Sequence, residues 1–460
     1  MASSYLEFLE SKKHSLNGCG FDPVFMPECA FDFQREIISR AVKKGRMGLF
    51  CDTGLGKTLM QLSIAQNIVQ KTSKKVLILT PLAVAFQFLD EAEKIGVGDI
   101  AHTKDGRVSS STKIIVCNYE RLHLLNADDF ECVMLDESSI LKNFSGKTRD
   151  AIVSFMKRVP FRFLSTATPS PNDFIELGNS SEALGHMGYM DMLTKFFKSN
   201  QNSVDSNNRS IGDKFYLKPH AERDFFKWVN QWSVMVKRPS DLGFDDSRYV
   251  LPDLLTNTHI VKNEATWCID DQMALFSMPA KRLTEVREEQ KLTVSERCHK
   301  AAHLAQGKTS VYWCNLNEES SLLKAIDSDA REIVGGMSIE QKEEILVAFA
   351  RGQISRIITK PKMTSMGLNW QHCNHTVFFP TYSYEQYYQA IRRFWRFGQK
   401  SNVVCDMVVS EGQTQVIETL DKKMNKAIEL YSNLVANANQ DFYIQSKQFS
   451  QTVKLPEFLK

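Results

Sequence analysis

From about residue 45 onward the sequence alternates short apolar runs with longer amphipathic ones, and that rhythm leaves few folds open. Met47–Cys51, Val76–Thr80, Lys113–Cys117, Cys132–Leu135 and Phe161–Ser165 are runs of strand length. Thr58–Val69 and Val84–Lys94 carry helical spacing between the first three, and further helical stretches separate the last two. Strands that are apolar throughout are buried on both faces, and helical crossovers of about a dozen residues join parallel neighbours. The pattern predicts an α/β fold with a parallel sheet and helices on its faces.

The same rhythm restarts later. Ser310–Cys314, Glu332–Val334, Arg356–Thr359, Thr376–Phe379 and Val403–Val409 read as strands. Glu318–Asp327, Ser338–Ala350, Tyr384–Arg396 and Thr414–Leu434 read as helices, which makes a second α/β domain rather than more of the first. Between the two blocks, Ser199–Ser210 is rich in Ser and Asn and reads as a loop, and His220–Val236 reads as helical with bulky apolar residues. Pro239, Gly243 and Pro252 punctuate the next stretch, which places the boundary near residue 245. The expected division is an extension over 1–30, a first lobe over 31–245 with a mainly helical insertion at about 180–235, a second lobe over 246–435, and a tail over 436–460.

Composition narrows the setting. The chain has 460 residues, 43% apolar and 24% charged, which suits two or more globular cores. A net charge of +3 permits a nucleic-acid partner without implying one. None of the ten cysteines stands in a Cys-x-x-Cys pair, and several sit inside strand-like runs, as Cys132 does. They read as small buried hydrophobes in a reduced, intracellular setting. The first ten residues lack a basic stretch followed by an apolar core, so no secretory signal is expected, and no run reaches membrane-span length. The histidines form no metal-ligand constellation.

Asp52-Thr53-Gly54-Leu55-Gly56-Lys57-Thr58 follows the first strand and opens a helix, as a phosphate-binding loop requires. Glycines let backbone N–H groups approach phosphate oxygens, and the helix N-terminus adds a favourable dipole. Lys57 would reach the β- and γ-phosphates of ATP, and the Thr58 hydroxyl would ligate magnesium. Cys51 stands where the pattern usually opens with glycine. Val133-Met-Leu-Asp136-Glu137 is an apolar strand ending in two carboxylates. In a parallel sheet such a strand delivers them to the edge that carries the phosphate loop. Asp136 would then hold magnesium, and Glu137 would orient and deprotonate the attacking water. The same pair could instead be a helix N-cap with acidic first-turn residues.

These residues together resemble the superfamily-two DEAD/DEAH-type helicases and translocases. Asp136-Glu137-Ser138-Ser139 resembles their motif II, with Ser139 where many members carry His or Asp. Gln34 is similar to the glutamine that reads adenine, and Leu79-Thr80-Pro81 and Asn118-Tyr119-Glu120 to segments that touch the nucleic-acid backbone. Ser165-Thr166-Ala167-Thr168-Pro169 resembles motif III. Asp136–Asn143 and Asn172 with Glu176-Leu177 resemble the Swi/Snf-type subgroup, of the compact kind found in phages or mobile elements. In the second block Thr364-Ser365-Met-Gly367-Leu-Asn369 is similar to motif V. Gln389 through Arg392, Arg393 and Arg396 to Gly398-Gln399 is similar to motif VI, with Arg392 where glycine is usual.

The resemblance implies two RecA-like lobes with ATP held between them. Arg393 and Arg396, three apart and expected on one helical face, would then bind γ-phosphate oxygens as arginine fingers. Taken alone, these arginines also suit a solvated basic helix face. The aromatics around them, Trp313 and Trp370 read as core before base stacking. Gln34, Thr53, Gly54, Leu55, Gly56, Lys57, Thr58, Gly367 and Gln389 are the expected nucleotide contacts, and Thr80, Pro81, Asn118, Tyr119, Thr364 and Ser365 the expected nucleic-acid contacts. The expected function is ATP-driven movement along duplex or branched DNA by a monomer in the cytoplasm of a bacterium or phage-infected cell, with a protein partner for targeting. A strand-separating or branch-migrating helicase, and a nucleotide-gated DNA-binding subunit, are the alternatives.

Overall fold

A computed structural model describes residues 19–81, 84–142, 146–170, 173–199, 215–262, 268–269, 272–273, 283–364 and 369–438. The expected Ser/Asn-rich loop, Asn143, Asn172, Ser365, Gly367 and the tail from 439 lie outside them, as does the Thr364 side chain. The chain divides into two compact units. One takes residues up to 80, 88–249 and from 429 on; the other takes 81–87 and 250–428.

In the first unit, helix α1 (Asp32–Lys44) leads into strand β1 (Arg46–Cys51), α2 (Lys57–Thr72) and β2 (Lys75–Thr80). Then come α3 (Ala85–Lys94), β3 (Ile100–His102), β4 (Ile114–Asn118), β5 (Phe130–Asp136), α4 (Lys147–Lys157) and β6 (Phe161–Ser165). Helices α5 (Leu177–Leu184) and α6 (Tyr189–Phe196) precede a short hairpin, β7 (Phe197–Ser199) and β8 (Phe215–Leu217), followed by α7 (Glu222–Trp232) and β9 (Ser233–Val236). The sheet runs β3-β4-β2-β5-β6-β1-β9 and is parallel throughout. Its strands are apolar on both faces because helices cover both, so β5 is almost wholly buried.

One expectation is corrected by this topology. His220–Val236 is not one helix: α7 stops at Trp232, and Ser233-Val-Met-Val236 continues as an edge strand against β1. The four residues are buried on both faces, a pattern that an extended strand satisfies and one helical face does not. Among its described residues the insertion is mainly helical up to Trp232 apart from the hairpin strands, and its aromatics form a packed cluster in which Phe225 meets Phe196, Phe197, Phe226 and Trp228.

The second unit opens with β10 (Leu254–Val261) and a two-residue pair, β11 (Cys268–Ile269) and β12 (Gln272–Met273). Helices α8 (Leu283–Leu292) and α9 (Val294–Ala305) come after these, then β13 (Ser310–Trp313), α10 (Asn317–Ile326), β14 (Arg331–Glu332) and α11 (Ile339–Ala350). Next are β15 (Arg356–Thr359), α12 (Pro361–Thr364), β16 (His375–Phe378), α13 (Tyr384–Ile391), β17 (Val403–Ser410) and α14 (Thr414–Ala438). The sheet order is β10-β17-β16-β13-β15-β14, again parallel. Two parallel sheets with helices on their faces make two RecA-like lobes. Trp313 and Trp370 are fully buried, stacked on one another, with Phe394 against both, so they belong to the core.

The second correction concerns the arginines. The helix expected to run through Arg396 ends at Ile391, with Arg392 as its cap. Residues 392–398 form successive turns, because the Arg393 carbonyl accepts from the Trp370 amide and Phe394 inserts into the tryptophan cluster. Arg393 and Arg396 therefore do not share a helical face.

Candidate nucleotide site

The chemistry of the first unit gathers at the C-terminal edge of its sheet. Leu49 on β1 is level with Ser165 on β6, and Ser165 is level with Asp136 on β5. Two strand spacings put the end of β1 about 10 Å from the end of β5, room for a phosphate group between them. The loop after β1 turns at Gly54 and Gly56, both at positive φ (88° and 81°), a conformation that suits glycine. Its start is tethered from the far side, where the Asp52 amide donates to the Val236 carbonyl at 2.8 Å. Edge strand β9 thus shapes the loop, a role with no local sign in the sequence.

Lys57 opens α2, and its ammonium donates to the carbonyls of Cys51 (3.0 Å) and Asp52 (3.3 Å), which stations the cation at the loop. Cys51, in place of the usual glycine, is buried, and burial pushes its thiol up to about 12, so it is a neutral packing group. Gln34 on α1 is also buried. It donates to the Leu55 carbonyl (2.9 Å) and accepts from the Phe31 amide (3.0 Å). A Cβ on Gly56 would come within 2.3 Å of the Gln34 nitrogen, so that glycine is required by both space and φ. Gln34, expected to read adenine, here commits its side-chain amide to the Leu55 carbonyl and the Phe31 amide and so braces the loop.

Beside Gln34 lies a cavity of about 660 Å³ lined by Phe31, Asp32, Phe33 and Arg35 from the start of α1 and by Phe244, Arg248 and Tyr249 from the end of the unit. Tyr249 packs edge-on against Phe31 and Phe33, and the Arg248 guanidinium lies 5.6 Å over the Phe31 ring. The lining brings the rings of Phe31, Phe33 and Tyr249 together with the Arg248 guanidinium, groups able to pack on a flat ring system. Sequence reasoning missed Arg248 and Tyr249 because they lie far from Gln34 along the chain and follow no motif.

Asp136 at the end of β5 and Glu137 just after it are both buried. The Asp136 carboxylate accepts from the Gln61 amide of α2 at 2.9 Å, and its main-chain carbonyl accepts from the Tyr119 hydroxyl at 2.6 Å. Burial holds the Tyr119 hydroxyl well above its usual range, so it stays a donor. Glu137 adopts φ 54°, a left-handed backbone that costs a non-glycine residue about 1–3 kcal/mol. That turn directs its carboxylate to the Thr166 hydroxyl of the following strand's loop, 3.2 Å away, and Thr166 also bonds through its amide to Leu49 on β1. Carboxylate, threonine and phosphate-loop strand are thus directly linked. Asp136 ends the strand and Glu137 leads into the 3-10 turn Ser138–Lys142, its carbonyl accepting from the Ile140 amide at 3.3 Å; that turn has no acidic residue in it.

The donor set also fits magnesium. Thr58 stands one turn before Gln61 on α2, and Gln61 bonds Asp136, so the helix and the strand end each bring a hard oxygen ligand to this edge of the sheet. The remaining Gln61 oxygen and the Ser138 and Ser139 hydroxyls are buried with no protein partner, which leaves acceptors for the waters such an ion keeps.

Of the residues expected at nucleic acid, Thr80, Asn118 and Tyr119 are buried and Pro81 is half-buried. The first three direct their side chains into the lobe; contact there would fall to the main chain. In the second unit Gln389 is buried, its amide donating to Glu385 (3.3 Å) and its carbonyl accepting from Arg393 (3.0 Å). Arg393 is buried, Arg396 half-buried, and Arg392 stacks between Tyr388 and Trp395. Gln399 donates to the carbonyls of Gln371, Cys373 and Phe394 and accepts from the amides of Lys400 and Ser401, so it fastens the turn that carries the arginines.

Among the described residues no helix is long and apolar enough to cross a membrane. No curated protein matches the chain. Among solved structures it is similar to the Sulfolobus solfataricus SWI2/SNF2 ATPase core in complex with dsDNA, at 15% identity and a TM-score of 0.40, over 95% of this chain and 99% of that one. The family model for the DEAD/DEAH box helicase matches residues 31–176, and that for the helicase conserved C-terminal domain matches residues 290–398. With the first of these domains carrying the phosphate loop and the carboxylate pair, and the second carrying the arginine turn, the chain belongs to the superfamily-two ATP-dependent helicases and translocases.

Proposed function

We propose that the chain is a DNA-dependent ATPase that moves along duplex DNA in the manner of Swi/Snf-type translocases. The observation that supports this most is the hydrogen bond from Thr166 to Glu137, which links the water-activating carboxylate to the segment after β6. Backbone amides of the loop from Thr53 to Gly56 and the Lys57 ammonium take up the phosphates, and the slot of Phe31, Arg248 and Tyr249 takes the base. Thr58 and Asp136 would hold magnesium, which would supply positive charge against the charge developing on the phosphates. Glu137 orients a water in line with the γ-phosphate and accepts its proton. A protonated Glu137 no longer accepts from Thr166 as a carboxylate does, so the chemical step changes the contacts of the loop after β6. Arg393 and Arg396 supply guanidinium groups from the second lobe, so closure and hydrolysis favour each other. Nucleic-acid contacts by Thr80, Pro81, Asn118, Tyr119, Thr364 and Ser365 are sequence-independent grips on the phosphate backbone. We further propose that the chain acts as a monomer in the cytoplasm and that a protein partner directs it.

The experiment is the ATPase rate of the purified chain against duplex, single-stranded and branched DNA and RNA, paired with triplex displacement and forked-duplex unwinding. Duplex stimulation with triplex displacement supports translocation; unwinding of forks without it supports a strand-separating helicase instead. Lys57→Ala and Arg396→Ala are each expected to abolish stimulated turnover, with Arg396→Ala still binding ATP. A rate indifferent to every nucleic acid would leave a nucleotide-gated subunit.

A further inference from the structure

Gln61 belongs to no motif and touches no expected substrate position, yet it is 1% exposed and commits its amide to Asp136. Three features set it apart from an ordinary buried glutamine. It lies on α2 three residues after Thr58, so on a helix the two side chains share a face. Its Nε2 donates to Asp136 Oδ1 at 2.9 Å, across the gap between α2 and the end of β5. Its Oε1 is buried with no protein partner, an arrangement that normally costs stability unless a donor arrives.

From these we infer that Gln61 is a positioning residue for the metal carboxylate. Its amide fixes the rotation of Asp136 so that the carboxylate faces the Thr58 hydroxyl, and its unpaired oxygen accepts from a water in the shell of a divalent cation held there. The inference rests on the reading of Thr58 and Asp136 as the cation's ligands. It adds that α2 and β5 are matched through an uncharged donor, which orients the carboxylate without competing for the cation as a lysine would. The Tyr119 hydroxyl on the Asp136 carbonyl holds the same residue from its backbone side. Residues that orient a ligand in this way are typically worth about 10–100-fold in metal affinity.

The test separates metal from nucleotide. Manganese, a spectroscopic stand-in for magnesium, is titrated into the full chain with saturating ADP and followed by electron paramagnetic resonance. Binding of a fluorescent ADP in chelator is measured alongside. For Gln61→Met, which keeps volume, manganese affinity is expected to fall at least tenfold while metal-free ADP binding stays within twofold. Gln61→Asn keeps a buried amide too short to reach Asp136 and is expected to lose manganese affinity in the same way, which guards against misfolding of the methionine variant. Unchanged manganese affinity in both, or a parallel loss of metal-free ADP binding, overturns the inference. A wild-type chain that binds ADP but takes up no manganese fails the underlying reading of Thr58 and Asp136 instead.

Discussion

Glu137 is constrained at two places that act on different atoms, its left-handed backbone and the Thr166 hydroxyl on its carboxylate. Glu137→Gln keeps the shape and removes the base, so turnover is expected to fall about 10²–10⁴-fold with ATP affinity little changed, as single-turnover and equilibrium-binding measurements would separate. Thr166→Val deletes only the hydroxyl; it should weaken the stimulation of ATPase by nucleic acid more than the basal rate, and an equal loss of both would assign Thr166 to chemistry alone. Gly56→Ala faces both a strained left-handed φ and the Gln34 amide, so it should lower the thermal midpoint of the first unit and weaken nucleotide binding together. Residues of this kind were legible in advance because phosphate binding dictates residue type at fixed spacing. Gln61, Arg248 and Tyr249 were not, since their partners are brought to them by the fold and one buried glutamine or half-buried tyrosine looks like any other in a linear chain.

Elements were legible where periodicity decides them and illegible where tertiary contacts do. The buried strands β2, β5, β6 and β15 match their apolar runs closely, whereas β3, only three residues long, offers almost no pattern to read. Strand β9 was hidden because α7 runs straight into it with no Gly or Pro between, and only pairing with β1 defines it. The turn after α13 was hidden for the opposite reason: its sequence is helix-compatible, but the Trp370 amide captures the Arg393 carbonyl and Gln399 ties five backbone groups around the turn. Replacing Gln399 by Ala takes the side-chain donor from the carbonyls of Gln371 and Cys373, each worth about 1–3 kcal/mol when orphaned, while the Phe394 carbonyl keeps the Arg396 amide. Gln399→Ala is therefore expected to destabilise the second unit by about 3 kcal/mol and to raise hydrogen exchange across 392–399, while nucleotide-independent properties of the first unit stay as they are. Protection unchanged in that segment would show that the aromatic cluster alone holds the turn.

At the scale of the molecule, two units with separate sheets and cores have separate sensitivities, and acid should find the second through one network. Asp406 on β17 accepts from Asn257 and His259 on β10 and from His375 on β16, all at 2.9 Å, and His375 in turn meets Ser310 on β13 at 2.8 Å. Four neighbouring strands are thereby joined through polar side chains, buried at Asp406, His375 and Ser310 and reaching the surface at Asn257 on the edge strand. Burial pushes the Asp406 carboxyl up, but the three donors outweigh it and hold it below the usual range. Burial lowers His375, and Lys308 acts the same way, against the opposing pull of Asp406, so its folded value lies below the ordinary one. For such a histidine the unfolded chain binds the proton first. Its contribution to stability is full above about pH 6.5 and is lost as pH falls through the window beneath, at a slope of at most about 1.4 kcal/mol per pH unit for one proton. Asp406 adds a loss at lower pH, beginning at the ordinary carboxylate range, where the unfolded chain protonates, and continuing down through the depressed folded value. Hydrogen exchange of the β16 amides between about pH 5 and 7, corrected for intrinsic rates, should report falling stability of this unit. His375→Gln keeps an amide toward Asp406 and cannot take up a proton, so its stability should vary less across the same range. A slope equal to that of the wild-type chain would place the acid sensitivity in some other group and leave the His375–Asp406 pair as packing alone.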